Sequence, residues 1–204
     1  MRRVSARARE RPDFAALHCN LGVALIALHL LDEAVGCLER AIALQPDLAE
    51  AHNDLGNALQ GLGRPADAAV SYRAALALRP NYVDAHNNLG VALAALERYD
   101  EAMACYRAAL AIDPGSAEAH NNLGTALAAL GREDEALGWY DKTLALAPMH
   151  AGALANTGSA LKALGRLDAA RAAIEAAIAL EPRTPRFYQS LVECRRFAPA
   201  NRCW

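Results

Sequence analysis

A 34-residue period runs through the chain and limits its fold more than any other feature. Prolines recur at that spacing, at residues 12, 46, 80, 114, 148 and 182. Counting each repeat from the third residue after its proline gives five segments: 15–48, 49–82, 83–116, 117–150 and 151–184. A fixed period of this length predicts a helix-turn-helix unit stacked on copies of itself, because one such hairpin cannot bury its apolar face alone.

Several positions are identical in all five segments, among them glycine at position 8, leucine at position 11 and alanine at position 20. Positions 4, 7, 8 and 11 share one face of a first helix, and positions 20, 24 and 27 share one face of a second helix. Glycine inside a helix costs about 1 kcal/mol relative to alanine. Its recurrence predicts that another helix backbone crosses at position 8 without room for a Cβ. Gly63, Gly131 and Gly165 mark the turn between the helices, and each proline ends a second helix.

The Leu-Gly pair at positions 7 and 8, the alanines at 20 and 27, the tyrosines at 24 and the proline resemble the tetratricopeptide repeat (TPR) family. The resemblance implies an all-α fold, an α-solenoid that coils as a right-handed superhelix of five TPR hairpins. Residues 1–14 are then the remnant of a preceding helix, the five segments are TPR 1 to TPR 5, residues 185–198 form a capping helix, and residues 199–204 form a tail. The phrase Ala-His-Asn-Asn-Leu-Gly, at 85–90 and 119–124, is most similar to the arrays of O-linked N-acetylglucosamine transferases and their bacterial relatives.

Polar side chains recur on the opposite face of the first helix. They are Asn20, Asp54, Asn88, Asn122 and Asn156 at position 6, Asn53, Asn87 and Asn121 at position 5, Glu50, Asp84 and Glu118 at position 2, and Asn57 at position 9. Asparagine is unfavourable inside a helix, because its amide competes for backbone hydrogen bonds. The row therefore costs helix stability that alanine or glutamine would not cost.

Two interpretations of this row stay open. An amide both donates and accepts, so the row can hold the main chain of an extended peptide whatever its side chains. Alternatively, the amides bond to one another between adjacent helices and fix the stacking, and both roles can hold together. The resemblance to the glycosyltransferase arrays implies that Asn20, Asn88, Asn122 and Asn156 grip a peptide backbone in a concave groove, with Asp54 as an outlier.

The charge pattern bears on the partner. Residues 12–182 contain 11 basic and 21 acidic residues, a net charge of −10, whereas both ends are rich in arginine. An acidic body argues against nucleic acid, whose phosphates need a basic surface. TPR arrays that grip a carboxylate use Lys and Arg in the groove, and here only Lys162 falls there. We therefore expect a protein or peptide ligand that is neutral to basic.

The sequence carries no motif for catalysis: G-x-S-x-G, a phosphate loop and H-E-x-x-H are all absent. The histidines at position 4 are separated by a helix-pair spacing of about 10 Å, too far to share a metal ion, so we assign them to packing. We expect no enzyme activity, no cofactor and no metal. The sequence has no run of eighteen apolar residues, so it predicts no membrane span. We expect a cytoplasmic protein.

The leading interpretation is a non-catalytic protein–protein interaction module that binds an extended peptide through the asparagine row. One alternative is a substrate-recruiting arm of a TPR-linked glycosyltransferase or sulfotransferase whose catalytic domain is absent, because the Arg-Arg-Phe-x-Pro stretch at 195–199 is similar to the junction in such proteins. The other alternative is a scaffold, a homo-oligomer that assembles through its exposed ends.

Overall fold

The computed structural model describes residues 4–197, with side chains from Phe14 to Cys194. Within that range the chain consists of helices and the turns that join them. The helices are α1 (Val4–Ala27), α2 (Leu31–Leu44), α3 (Ala49–Gly61), α4 (Pro65–Leu78), α5 (Val83–Ala95), α6 (Tyr99–Ile112), α7 (Ala117–Ala129), α8 (Glu133–Leu146), α9 (Ala151–Ala163), α10 (Leu167–Leu180) and α11 (Pro185–Phe197). The all-α helical repeat fold agrees with the sequence-based prediction.

The chain divides into two compact units, Met1–Ile112 and Asp113–Trp204. In the first unit the hairpins α1–α2, α3–α4 and α5–α6 pack side by side; in the second, α7–α8 and α9–α10 pack together and α11 lies on α9 and α10. Each unit has a core of alanines with a few larger residues, such as Leu38 in the first unit and Ile174 in the second. Small side chains let the helices approach closely, so burial here depends on tight packing.

The sequence predicted that a helix backbone crosses at the glycine of position 8. The structure corrects this, because the space beside the glycine is filled chiefly by a side chain. A Cβ on Gly124 would lie 2.7 Å from Cε1 of Tyr140 and 3.2 Å from the carbonyl oxygen of Ala136. In the other repeats the position-24 side chain of the same hairpin again fills the space, above Gly22, Gly56, Gly90 and Gly158. A ring or a branched chain lies flat on the glycine, so the two positions are one packing unit.

The turn inside each hairpin uses a left-handed residue at position 15 in all five repeats. Gly63, Gly131 and Gly165 have φ of 71°, 73° and 73°, as expected for glycine. The first and third repeats place His29 and Glu97 there, with φ of 58° and 60°. The sequence pattern did not reveal these two positions, because side chains rarely adopt this conformation. The same turn geometry is thus imposed on two residues that are strained by it.

The histidines at position 4 hold the turn between repeats. Nε2 of His52, His86 and His120 donates to the carbonyl oxygen of the proline six residues earlier, at 2.9, 2.8 and 3.0 Å. In α11, Tyr188 makes the same contact to Pro182 at 3.0 Å. A carbonyl can only accept, so these ring nitrogens carry the proton. The packing role predicted for the histidines therefore includes a specific hydrogen bond.

The first helix departs from the prediction that residues 1–14 are the remnant of a separate helix. The backbone of α1 runs without a break from Val4 through Pro12 to Ala27. A proline removes one donor and kinks a helix without necessarily ending it. Near the other prolines the chain instead turns, as in the bond of 3.2 Å from Tyr82 N to Arg79 O. The predicted tail 199–204 lies outside the described residues.

The last helix, α11, buries its apolar face on the fifth repeat. Phe187 is 1% exposed and Cys194 is 3% exposed, and both pack against Ala170, Ile174 and Ala177. Leu191 lies at the edge of the same cluster. The spacing of Phe187, Leu191 and Cys194 places them on one side of the helix, and that side packs on the fifth repeat.

Candidate functional site

The polar residues predicted from the sequence differ widely in exposure. Asn53 and Asn87 are buried, at 4% and 5% exposure. Asn20, Asp84 and Glu118 are exposed, and the remaining members are partly buried: Glu50, Asp54, Asn57, Asn88, Asn121, Asn122 and Asn156. Below we call the residues at positions 5, 6 and 9 of the first helices the polar row. Position 5 points between helices, so its amides serve the fold more directly than they serve a ligand.

In the first unit the polar row is connected by hydrogen bonds between adjacent first helices. Asn88 Nδ2 donates to Asn53 Oδ1 at 3.2 Å and to Asn57 Oδ1 at 3.1 Å. The hydroxyl of Tyr72 on α4 also donates to Asn57 Oδ1, at 2.9 Å. One amide oxygen therefore joins two first helices and a second helix, and the amides are fixed by their neighbours.

Asp54 occupies the position where the following repeat has Asn88. Its Oδ1 accepts from Asn53 Nδ2 at 3.3 Å and from Asn57 Nδ2 at 3.5 Å, and its Oδ2 accepts from the Cys19 thiol at 3.9 Å. Burial raises the pKa of the Asp54 carboxyl above its ordinary value, although these hydrogen bonds act in the opposite direction. Burial, together with the nearby carboxylates of Asp54 and Glu50, raises the pKa of the Cys19 thiol to about 11. Cys19 is thus a protonated donor at neutral pH.

In the second unit the same positions form a neutral network. Asn156 Nδ2 donates to Asn121 Oδ1 at 3.1 Å and to Thr125 Oγ1 at 3.2 Å. Asn121 Nδ2 donates to Asn122 Oδ1 at 3.5 Å, and Thr125 Oγ1 donates to the Asn121 carbonyl at 3.0 Å. The Tyr140 side chain is hydrogen-bonded to Thr125. The contact between neighbouring repeats thus has the same geometry as in the first unit.

The hydrogen bonds from position 24 to this network were not predicted from the sequence. Tyr72 and Tyr140 each bond to the position-9 side chain of their own repeat, which is Asn57 in one case and Thr125 in the other. The signal was present in the sequence, since tyrosine at 24 coincides with a polar residue at 9 in these two repeats. The two positions lie on different helices, so the periodicity of a single helix does not connect them.

Two charges near the polar row are neutralised within the protein. Glu50 accepts from Arg79, whose hydrogen bond lowers the pKa of the glutamate. The ammonium of Lys162 lies 2.5 Å from the Glu193 carboxylate on α11. Lys162 is therefore engaged in an ion pair and does not present a free cation for the carboxylate of a peptide. Asp84 remains accessible on the same face, which keeps this part of the surface acidic.

A cavity of about 340 Å³ lies over α7, α8 and α9 in the second unit. Its walls are alanines and its polar lining comprises Thr125, Glu133, Tyr140, Asn156 and Ser159. Among the described residues no cluster of three or more His, Cys, Asp or Glu side chains is arranged to hold a metal ion. None of the helices in residues 4–197 has the length and apolarity needed to cross a bilayer.

Comparison with known proteins identifies the family. Models described as "Tetratricopeptide repeat" match residues 53–117, 97–151 and 151–184, and one described as "TPR repeat" matches 31–63. Together they extend from residue 31 to residue 184. No curated protein matches the sequence significantly.

Solved TPR structures share the fold. A thermophilic TPR protein of Thermus thermophilus, TTC0263, is 25% identical, with a TM-score of 0.76 over 90% of this chain and 100% of that one. YrrB, described as a TPR protein with an unusual peptide-binding site, is 22% identical, with a TM-score of 0.71 over 95% and 97%. PilW, a type IV pilus biogenesis factor, is 22% identical, with a TM-score of 0.79 over 92% and 93%. TPR proteins generally mediate protein–protein interactions and are generally non-catalytic. With family models across most of its length and the fold of these proteins, the chain belongs to the tetratricopeptide repeat family.

Proposed function

We propose that this protein binds an extended segment of a partner protein along the polar row of its first helices. The observation that carries the proposal is that the amides of this row are already held in place by bonds between helices, such as those from Asn88 and Asn156. A fixed polar surface loses little entropy when a ligand binds, which favours affinity. The position-6 and position-9 side chains, and not the buried position-5 amides, are the ones that we assign to the ligand.

The charge of the surface favours a neutral or basic segment. Asp54 and Asp84 lie on or beside the row in the first unit, and the cation at Lys162 in the second unit is already paired. Complementary charge chiefly sets specificity and the rate of association. A segment that ends in a free carboxylate would meet no free cation at Lys162. We therefore propose that this protein binds an internal segment of its partner and not the partner's C-terminus.

The row also stabilises the stacking of the helices, and the experiment must separate the two roles. We expect Asn88→Ala with Asn122→Ala to weaken binding of fluorescein-labelled peptides, selected from an array of neutral and basic dodecamers, by about tenfold or more, as expected for two lost hydrogen bonds. The matched control is Asn81→Ala, which removes an exposed asparagine in a turn outside the row. Fluorescence polarisation gives the affinity, and a thermal melt of each variant gives the stability. Reduced stability with unchanged affinity would refute the peptide clamp and leave the stacking role.

A second candidate function, self-association, is supported by the apolar face of α1. Phe14, Leu17 and Leu21 are 53%, 61% and 47% exposed. At the position of Leu17 the four other repeats have alanines that are fully buried: Ala51, Ala85, Ala119 and Ala153. The spacing of 14, 17 and 21 matches the a and d positions of a coiled-coil heptad, which would suit a second copy of the same helix. Light scattering over a hundredfold concentration range tests this, since a mass constant at 21.7 kDa would exclude it.

A further inference from the structure

The α7–α9 cavity has apolar walls and a polar rim, and it lies within one unit of the molecule. Ala128, Ala129, Ala160 and Ala163 form its walls. Glu133, in the first turn of α8, and Ser159, on α9, contribute to the rim, and Asn156 and Tyr140 line it next to them. A volume of about 340 Å³ is large enough for one long side chain with a few water molecules.

The polar atoms that this cavity offers are acceptors. Asn156 has both donors engaged by Asn121 and Thr125, and within the described residues no hydrogen bond reaches its Oδ1. The position-5 neighbour that could have donated to it is Ala155, which carries no amide. Ser159 Oγ donates to the Ala155 carbonyl at 3.0 Å, which leaves its lone pairs open. Glu133 adds a carboxylate, which makes no ion pair to any side chain that the structure describes.

A ligand for this cavity must therefore bring donors, and preferably a positive charge. From these observations we infer that the α7–α9 cavity is a subsite for one lysine or arginine side chain of the bound peptide. The methylene stem lies along the alanines, as the stems of these residues commonly do on apolar surfaces. The charged head donates to Glu133, Asn156 Oδ1 and Ser159 Oγ, and such charge-assisted hydrogen bonds are stronger than neutral ones.

The equivalent place two repeats earlier, at α3, α4 and α5 of the first unit, lacks these features. Two repeats earlier, Pro65 stands in place of Glu133 and Val91 in place of Ser159, while Asn88 corresponds to Asn156. A proline and a valine offer no acceptor for an ammonium. The inference rests on the proposed peptide binding and adds a side-chain requirement at one point of it.

The test is an NMR titration of protein labelled with ¹³C at the alanine methyls. The probes are the capped peptide acetyl-Gly-Ala-Lys-Ala-Gly-amide, its arginine counterpart, and a norleucine counterpart that keeps the stem but lacks the charge. We expect shifts at Ala128, Ala129, Ala160 and Ala163, and an affinity about tenfold higher for lysine or arginine than for norleucine, in keeping with charge-assisted hydrogen bonds. Added salt should reduce that preference, because the rim is open to solvent.

Two variants and a control sharpen the result. Glu133→Gln should remove the preference for a cation while norleucine binding persists, and Ser159→Val should weaken it by installing the residue found in α5. Asp168→Asn, which removes an acid from the first turn of α10 outside the cavity, should leave the preference unchanged. Equal binding of all three peptides, or a cation preference that survives Glu133→Gln, would overturn the subsite and leave peptide binding intact. No shift with any peptide at millimolar concentration would overturn both.

Discussion

The polar rows of the two units occupy the same helical positions but differ in chemistry. In residues 1–112 the row contains a partly buried carboxylate, Asp54, that accepts from a thiol, Cys19. In residues 113–204 it consists of neutral amides and a hydroxyl, where Asn156 donates to Asn121 and Thr125. The difference shows that the side chain at position 6 of one repeat is complementary, as donor or acceptor, to the side chains at positions 5 and 9 of the preceding repeat.

The rule follows from what each preceding repeat offers. Where it supplies acceptors, as Asn53 and Asn57 do, an amide at position 6 can donate. Repeat 1 supplies a thiol and Val23 instead, and a carboxylate at position 6 accepts from the thiol. A buried donor needs an acceptor and a buried acceptor needs a donor. The residue types of the polar row are therefore determined by each pair of neighbouring repeats.

The largest effect should be common to both units, because their apolar cores are equivalent. Leu89 is 6% exposed and Leu123 is fully buried, at the same repeat position. We expect Leu89→Ala and Leu123→Ala each to cost about 2–5 kcal/mol in the free energy of unfolding, the range of buried leucine truncations. Urea denaturation followed by circular dichroism gives the value, with Val70→Ala, at a position 65% exposed, as control. A cost under about 1 kcal/mol in either unit would break the equivalence.

The next effect tests the polar network. Asn57→Ala removes the acceptor shared by Asn88 and Tyr72, and Thr125→Val removes the hydroxyl hydrogen-bonded to Asn156 and Tyr140. Each should cost about 1–3 kcal/mol, since partly buried donors are left unpaired. Repeating each change in a Tyr→Phe background, at Tyr72 or Tyr140, measures the coupling through a double-mutant cycle. Additive effects in both units would show that the tyrosine bonds contribute nothing.

A smaller effect distinguishes the turns. Glu97 adopts φ of 60° where the second unit has Gly131 at 73°. We expect Glu97→Gly to stabilise the protein by about 1 kcal/mol, the cost of a left-handed conformation for an L-residue, and Gly131→Ala to destabilise it by a similar amount. Thermal melts of the two variants check both signs. A destabilising Glu97→Gly would mean that its side chain contributes more than the strain it carries.

The pH dependence should separate the acidic row from the neutral one. The pKa of Asp54 is raised above 3.8, so the folded state binds its proton more tightly than the unfolded chain does. Its contribution to stability is present in full below 3.8 and is lost as pH rises through the folded pKa. The stability of Asp54→Asn relative to wild type should therefore improve from about pH 3.5 to about pH 7. Chemical denaturation at several pH values measures the difference. Asn156→Asp should introduce a similar pH dependence of the free energy of unfolding in the second unit.

The smallest effect is expected at the surface ion pairs. Arg98 pairs with Glu101 at 2.6 Å, and Arg132 pairs with Glu135 at 2.7 Å, where each arginine immediately precedes α6 or α8. Both pairs are largely exposed to solvent, which screens them. We expect Arg98→Gln and Arg132→Gln to leave the unfolding midpoint unchanged within error. A clear shift in one unit alone would reveal an electrostatic difference that the polar rows do not explain.

The sequence by itself determined the family, the helical hairpins and the positions of the core, because a 34-residue period with fixed small and large residues has one way to stack. It also located the polar row, since asparagine is conspicuous inside a helix. It did not determine which amides face inward, that α1 continues through Pro12, or that Tyr72 and Tyr140 join the row. These features depend on contacts between residues that are distant in sequence, such as the 15 positions between Asn57 and Tyr72. Only the tertiary structure brings such donors and acceptors within hydrogen-bonding distance.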